Sequence, residues 1–163
     1  MPVTQPLTTP AELGPDKMQF RARMRADLNM AAATLDTPRG LVVTLADHDF
    51  SGPALRADTY QRLARIAAIL ASQPGLRIEV EGHTDPSSAD YSLARADAVQ
   101  TAMVRGGVAP AAISLRGFGK SRPVVSNETA GGRQQNRRVE IVISGDPIGQ
   151  VAQWDRTYSL TPR

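Results

Sequence analysis

Leu76-Arg77-Ile78-Glu79-Val80-Glu81-Gly82-His83-Thr84-Asp85 alternates apolar with charged residues, then breaks on a glycine and ends on a hydroxyl and a carboxylate. Strict alternation of Leu76, Ile78 and Val80 with Arg77, Glu79 and Glu81 predicts a half-buried strand. Asp85 then stands where that strand leaves for a loop, a position at which ligands often bind. A helix is predicted before the strand over 55–72. There Tyr60, Leu63, Ala67 and Leu70 share one face, and Pro74-Gly75 ends the run. Residues 86–90 read as a loop. A further helix follows over 92–105, closed by Gly106-Gly107.

Outward from this centre the same alternation of elements continues. Residues 41–46 form a short β-branched run, and 47–53 read as loop around Ser51-Gly52-Pro53. Ile113 and Leu115 mark another strand, 117–135 a long polar loop, and 138–144 the last strand, with Val139, Ile141 and Ile143 on one face. Near the start, Phe20, Met24, Leu28, Ala31 and Leu35 recur at helical spacing until Pro38-Arg39-Gly40. Strands alternating with helices predict an α/β fold, an α+β two-layer sandwich. Its elements run β-α-β-α-β-β in a mixed sheet with helices on one face, preceded by an N-terminal helix. The expected divisions are a flexible leader over 1–15, the N-terminal helix over 16–39, the domain over 40–145 and a tail over 146–163.

Composition narrows the function. The 163 residues fit one domain. Hydrophobic residues make up 41% but aromatics only 4%, so the core must come from Leu, Ile, Val and Ala. A net charge of +3 permits an anionic partner without requiring one. There is no cysteine, hence no disulfide and no thiolate metal site. His48 and His83 have no ligand partners at a recognised spacing, so neither metal nor cofactor is expected. No nucleophile motif and no paired glycosidase carboxylates occur, so the chain does not read as an enzyme. Phe20, Phe50 and Phe118 do not alternate along strands, which argues against a stacking surface for nucleic acid. Met1-Pro2-Val3-Thr4-Gln5-Pro6 lacks a secretory leader pattern, and no window has the apolar length of a membrane span.

The residues that could carry binding are charged. Two readings of Asp85 stand side by side: a cap or turn partner of its own loop, and a ligand contact. Arg95 lies in the first turn of the helix over 92–105, where a cation opposes the helix dipole. It is either an exposed helix arginine or a guanidinium aimed at Asp85 or at a ligand carboxylate, which its fork fits. Arg137 and Arg138 open the last strand on opposite faces. Arg137 shares the phase of the apolar set and should be partly buried and paired. Arg138 shares the phase of Glu140 and should be solvated. Asn136 and Asn127 are read as satisfying the backbone of the long loop.

These strings together resemble a known family. Gly82-His83-Thr84-Asp85, Ser92-Leu93-Ala94-Arg95-Ala96, Gly117-Phe118-Gly119-Lys120-Ser121-Arg122-Pro123 and Asn136-Arg137-Arg138-Val139-Glu140-Ile141 look like the OmpA-like C-terminal domain. That domain also occurs in peptidoglycan-associated lipoproteins and flagellar stator proteins. The resemblance implies non-catalytic binding of the peptidoglycan stem peptide through its diaminopimelate residue, tethering an envelope component to the cell wall. It implies a ligand set of Thr84, Asp85, Arg95, Asn136 and Arg137. Asp85 would meet the ammonium, Arg95 the carboxylate, and Arg137 would add a second positive contact. It also implies a periplasmic, outer-membrane-associated location, with peptidoglycan and envelope proteins as partners. Two departures border the expected pocket: the family's loop after the aspartate is longer and carries an Asn and then a Leu before the Ser, whereas here Asp90-Tyr91 runs straight into Ser92, and the first strand's exit, Leu45-Ala46-Asp47-His48-Asp49-Phe50, is shorter than the family's. The alternative is an OmpA-like scaffold or protein-interaction module whose wall site is remodelled or lost.

Overall fold

The computed structural model describes residues 15–149, so the expected leader and most of the expected tail lie outside the described residues. Apolar residues at every second position set the sheet. Its five strands are β1 (Thr34–Thr37), β2 (Gly40–Leu45), β5 (Leu76–His83), β6 (Ile113–Gly119) and β7 (Arg138–Gly145). Their spatial order is β1-β2-β7-β5-β6. β5 and β6 are parallel, while β1–β2, β2–β7 and β7–β5 are antiparallel, so the sheet is mixed.

The odd-numbered side chains Leu41, Val43, Leu45, Val139, Ile141 and Ile143 and the even-numbered Ile78 and Val80 face the helices. There they join α1 (Pro15–Asn29), α2 (Ala57–Ala71) and α3 (Ser92–Arg105) in one core. Met24 and Leu28 of α1, Leu63, Ile66, Ala67 and Leu70 of α2, and Ala96, Val99 and Met103 of α3 are all buried in it. An α/β fold with helices packed on a mixed sheet is what the alternation predicted.

The elements differ from the expected ones in three places. The first helix ends at Asn29, not near residue 39, and Thr34–Thr37 is a strand. Asn29 Oδ1 accepts a hydrogen bond from the Thr34 backbone at 2.7 Å, and Thr34–Thr37 then pair with Gly40–Val43. The helical spacing out to Leu35 was therefore fortuitous, and Leu35 is exposed. Residues 47–53 are not a plain loop: a 3₁₀ turn, Asp47–Asp49, leads into a small hairpin of β3 (Phe50–Ser51) and β4 (Ala54–Leu55). The long polar loop contains α4 (Ala130–Asn136). Gly131-Gly132 hid it from propensity, but Thr129 caps it by accepting from the Gly132 backbone at 2.9 Å.

Candidate functional site

Strand directions decide where charge gathers. β2 and β5 both run antiparallel to β7, and β6 runs parallel to β5. The C-terminal ends of β2, β5 and β6 therefore meet the start of β7 at one end of the sheet. Asp47 follows β2, Thr84 and Asp85 follow β5, Gly119 ends β6, and Arg137 precedes β7. The Thr84 backbone N–H donates to the Gly119 carbonyl at 2.9 Å and ties two of these ends together.

Helix α3 brings Arg95 to the same place because β5 lets it approach. A Cβ at Gly82 would sit 1.8 Å from the Ser92 carbonyl oxygen, so only glycine permits this contact. Asp90 Oδ1 accepts from the Ser92 backbone at 3.0 Å and from the Ser92 hydroxyl at 2.5 Å, anchoring the first turn of the helix. Those two bonds hold the Asp90 carboxyl below its ordinary range.

Four charges then alternate. Arg95 Nη1 donates to Asp47 Oδ1 at 3.0 Å. Arg137 Nε lies 3.2 Å from Asp47 Oδ2. Arg137 Nη1 donates to Asp85 Oδ2 at 2.7 Å and to the Ser88 hydroxyl at 3.1 Å. Arg95 Nε donates to the Gly52 carbonyl at 2.8 Å, and its guanidinium lies over the Phe50 ring at 4.7 Å and the Tyr91 ring at 5.7 Å. Asp85 is 1% exposed, and its Oδ1 accepts from the Ser87 backbone and hydroxyl. Burial alone would raise its carboxyl, but the hydrogen bonds from Ser87, Ser88 and Arg137 outweigh this and hold it far below the usual carboxylate range. The Asp85 contact in turn raises the Arg137 guanidinium further.

These groups border a cavity of about 270 Å³, lined by Asp47, Thr84, Ser88, Tyr91, Arg95 and Arg137 among others. Among the described residues, neither Arg95 Nη2 nor Arg137 Nη2 has a hydrogen-bond partner. Arg95, Arg137 and the partly exposed Asp47 carboxylate thus line one cavity. The charges of Arg95, Arg137, Asp47 and Asp85 cancel, so the arrangement suits a zwitterion better than a bare anion or cation.

Of the residues expected at a site, the structure brings Thr84, Arg95 and Arg137 to the cavity wall, with Asp85 behind Arg137. Asn136 is elsewhere. Its side-chain oxygen accepts from the Val124 and Val125 backbones, and its amide donates to the Val125 carbonyl and to Asn127 Oδ1. It holds the loop before α4. Asp47, Ser88, Gly52 and Tyr91 were not expected. Asp47 had one legible signal, its place at the exit of a strand; the others depend on loop conformation.

Arg138 corrects an expectation. It is buried, not solvated, and its Nε donates to Glu140 Oε2 at 2.7 Å. The second face of the sheet is not open at this end. Arg39 reaches across it to Glu81 and Glu140, and His83 stacks on Phe118 with centroids 5.3 Å apart. Glu81 and Glu140 are direct cross-strand partners, and like charges so placed need the arginines between them. Burial, and then the nearby Arg138 charge, push the His83 imidazole down to about 3. Glu81, His83 and Glu140 bring oxygen and nitrogen atoms within 4.8 Å of one another, although their spacing in the chain matches no metal motif. Their immediate arginine neighbours make that cluster an ion-pair network.

Known proteins share this sequence pattern and fold. The family model described as the OmpA family matches residues 48–137, more than half of the chain. Outer membrane porin F of Pseudomonas fluorescens is 40% identical over 97 residues, covering 56% of this chain and 30% of the porin. Peptidoglycan-binding protein ArfA of Mycobacterium tuberculosis is 37% identical over 98 residues, covering 57% of this chain and 30% of ArfA. The chain therefore spans about a third of the length of these two relatives. Among solved structures, the cell wall anchor of the T6SS from Pseudomonas aeruginosa aligns with a TM-score of 0.64 at 28% identity, covering 77% of this chain and 96% of that one.

Proposed function

We propose, from the premise that this chain belongs to the OmpA family, that it binds peptidoglycan without chemistry and tethers an envelope component to the cell wall in the periplasm. Its ligand is the diaminopimelate residue of the stem peptide, whose free end carries one ammonium and one carboxylate. The observation that carries this reading is the alternating row Arg95–Asp47–Arg137–Asp85 beside a 270 Å³ cavity. The relatives support the same reading, since one is named a peptidoglycan-binding protein and another a cell wall anchor.

Exposure supports a division of roles. Asp47 and Arg137 are each about a quarter exposed, so a ligand in the cavity can reach both. Asp85 has both oxygens engaged within the protein and is buried, so it acts through Arg137. In this proposal the ligand carboxylate takes the Nη2 edges of Arg95 and Arg137, and its ammonium takes Asp47. Among the described residues no helix is long and apolar enough to cross a membrane.

Sedimentation with purified peptidoglycan tests the proposal. The chain should co-sediment and be released by free diaminopimelate, and Arg95→Ala with Arg137→Ala should remain in solution. Sedimentation that diaminopimelate does not compete, or that the double variant retains, would overturn it.

A further inference from the structure

Tyr91 occupies a position that its residue type does not explain locally. It is the N-cap of α3, where Ser, Thr, Asp or Asn is favoured for the side-chain bond to the helix. Tyr91 makes no such bond, and Asp90 anchors the first turn instead. Its backbone carbonyl accepts from Arg95 N–H at 2.8 Å, which puts the two side chains one helical turn apart on the same face. The ring is 39% exposed, lines the cavity, and has its centroid 5.7 Å from the Arg95 guanidinium carbon. A large aromatic residue left partly exposed at a capping site breaks a local rule, and such breaks concentrate at functional positions.

We infer that Tyr91 is a specificity-determining residue of the site: with Phe50 it fixes the plane of the Arg95 guanidinium so that the Nη2 edge is presented to a ligand carboxylate. Three constraints already act on Arg95. Nε is committed to Gly52, Nη1 to Asp47, and Phe50 lies against the guanidinium at 4.7 Å. Gly52 sits in the turn of the β3–β4 hairpin with φ of 59°, and Asp47 in the 3₁₀ turn before it, so both polar constraints come from outside α3. Tyr91 supplies a constraint from the helix that carries Arg95 itself. A guanidinium held by stacking loses less freedom when it takes up a carboxylate, which is why the arrangement favours affinity for that group in particular. The inference rests on the reading of the site given above and adds what that reading lacks, the group that makes it select a carboxylate-bearing side chain.

The test compares two stem peptides that differ by that carboxylate alone, one with diaminopimelate and one with lysine at the same position. Calorimetry would be run on the unsubstituted chain, Tyr91→Leu and Tyr91→Phe, with melting temperatures alongside. Leucine keeps apolar bulk and removes the π face; phenylalanine keeps the ring. Tyr91→Leu should reduce the preference for the diaminopimelate peptide about five- to tenfold, and Tyr91→Phe should restore it to within about twofold. A purely structural role would weaken both peptides alike and track the melting temperature. Equal loss for both peptides, or a preference that Tyr91→Leu leaves intact, overturns this inference alone. If the unsubstituted chain binds neither peptide, the reading of the site fails, and this inference with it.

Discussion

Arg137 and Asp85, 52 positions apart, meet through an Nη1–Oδ2 hydrogen bond of 2.7 Å in which the carboxylate is buried and the guanidinium reaches the cavity. The buried partner holds the accessible one. Ser87 and Ser88 complete the arrangement from the loop that follows β5.

Asp85→Asn should therefore impair both binding and folding. A charge-assisted hydrogen bond contributes about 1.5–3 kcal/mol net, so urea unfolding should show a loss of that size. Diaminopimelate affinity should fall by a smaller factor, because Asp85 acts on the ligand only by positioning Arg137. Because the folded carboxyl is held below its unfolded value, its stabilisation is present above about pH 4 and is lost as pH falls further. The variant should thus be less stable than the parent at pH 7 and converge with it in strong acid. An Asn variant as stable and as tight-binding as the parent would remove Asp85 from the site.

Arg138→Ala separates stability from binding. Its removal leaves Glu140 buried without the guanidinium 2.7 Å away. Breaking one partner of a buried pair costs about 3–5 kcal/mol, and less than that here because Arg39 still reaches Glu140. The folded fraction should bind diaminopimelate with nearly unchanged affinity, because Arg138 lies on the opposite face from Arg137. Calorimetry at a temperature where the variant stays folded checks this, and a large affinity loss there would contradict it.

Gly82→Ala should move α3. The new methyl would meet the Ser92 carbonyl at 1.8 Å, and backbone must shift to relieve it. Overpacking of this kind costs about 1–3 kcal/mol, and the displaced helix carries Arg95 with it. Gly131→Ala is the contrast, since nothing lies within 4 Å of its Cβ position in α4. That change should be neutral or stabilising by up to about 1 kcal/mol. Urea midpoints for the two variants should move in opposite directions or, for Gly131→Ala, not at all.

His83 makes the fold acid-sensitive. The imidazole titrates near 6.5 when unfolded and is pushed down to about 3 by burial and by Arg138 in the folded chain. Between those values the unfolded state binds the proton and the folded state does not, so stability falls as pH drops. The slope is at most about 1.4 kcal/mol per pH unit. His83→Gln cannot take up that proton, so its melting temperature should decline less between about pH 7 and about pH 4.5 than the parent's. Parallel declines would show that His83 is not buried neutral.

Sequence by itself determined four of the five strands of the main sheet and the order of the first three helices. Alternation in Leu76–Val80 and in Val139–Ile143 fixes which side chains face the helices, because a strand's period of two leaves one choice of buried face. The same period foretold that Arg137, in phase with Val139, would be partly buried and paired, as it is with Asp85. It misled for Arg138, because periodicity says which face a residue takes and not whether that face meets water. Only tertiary structure decided that Arg39 crosses the second face to Glu81 and Glu140 and encloses Arg138 with them. Only tertiary structure brought Asp47 between Arg95 and Arg137, since that contact depends on three strand ends and a helix start converging across 48 and more positions of chain. Local pattern encodes what each segment does with its own backbone. The pairing of distant charges is set by how those segments pack, and no single segment carries that information.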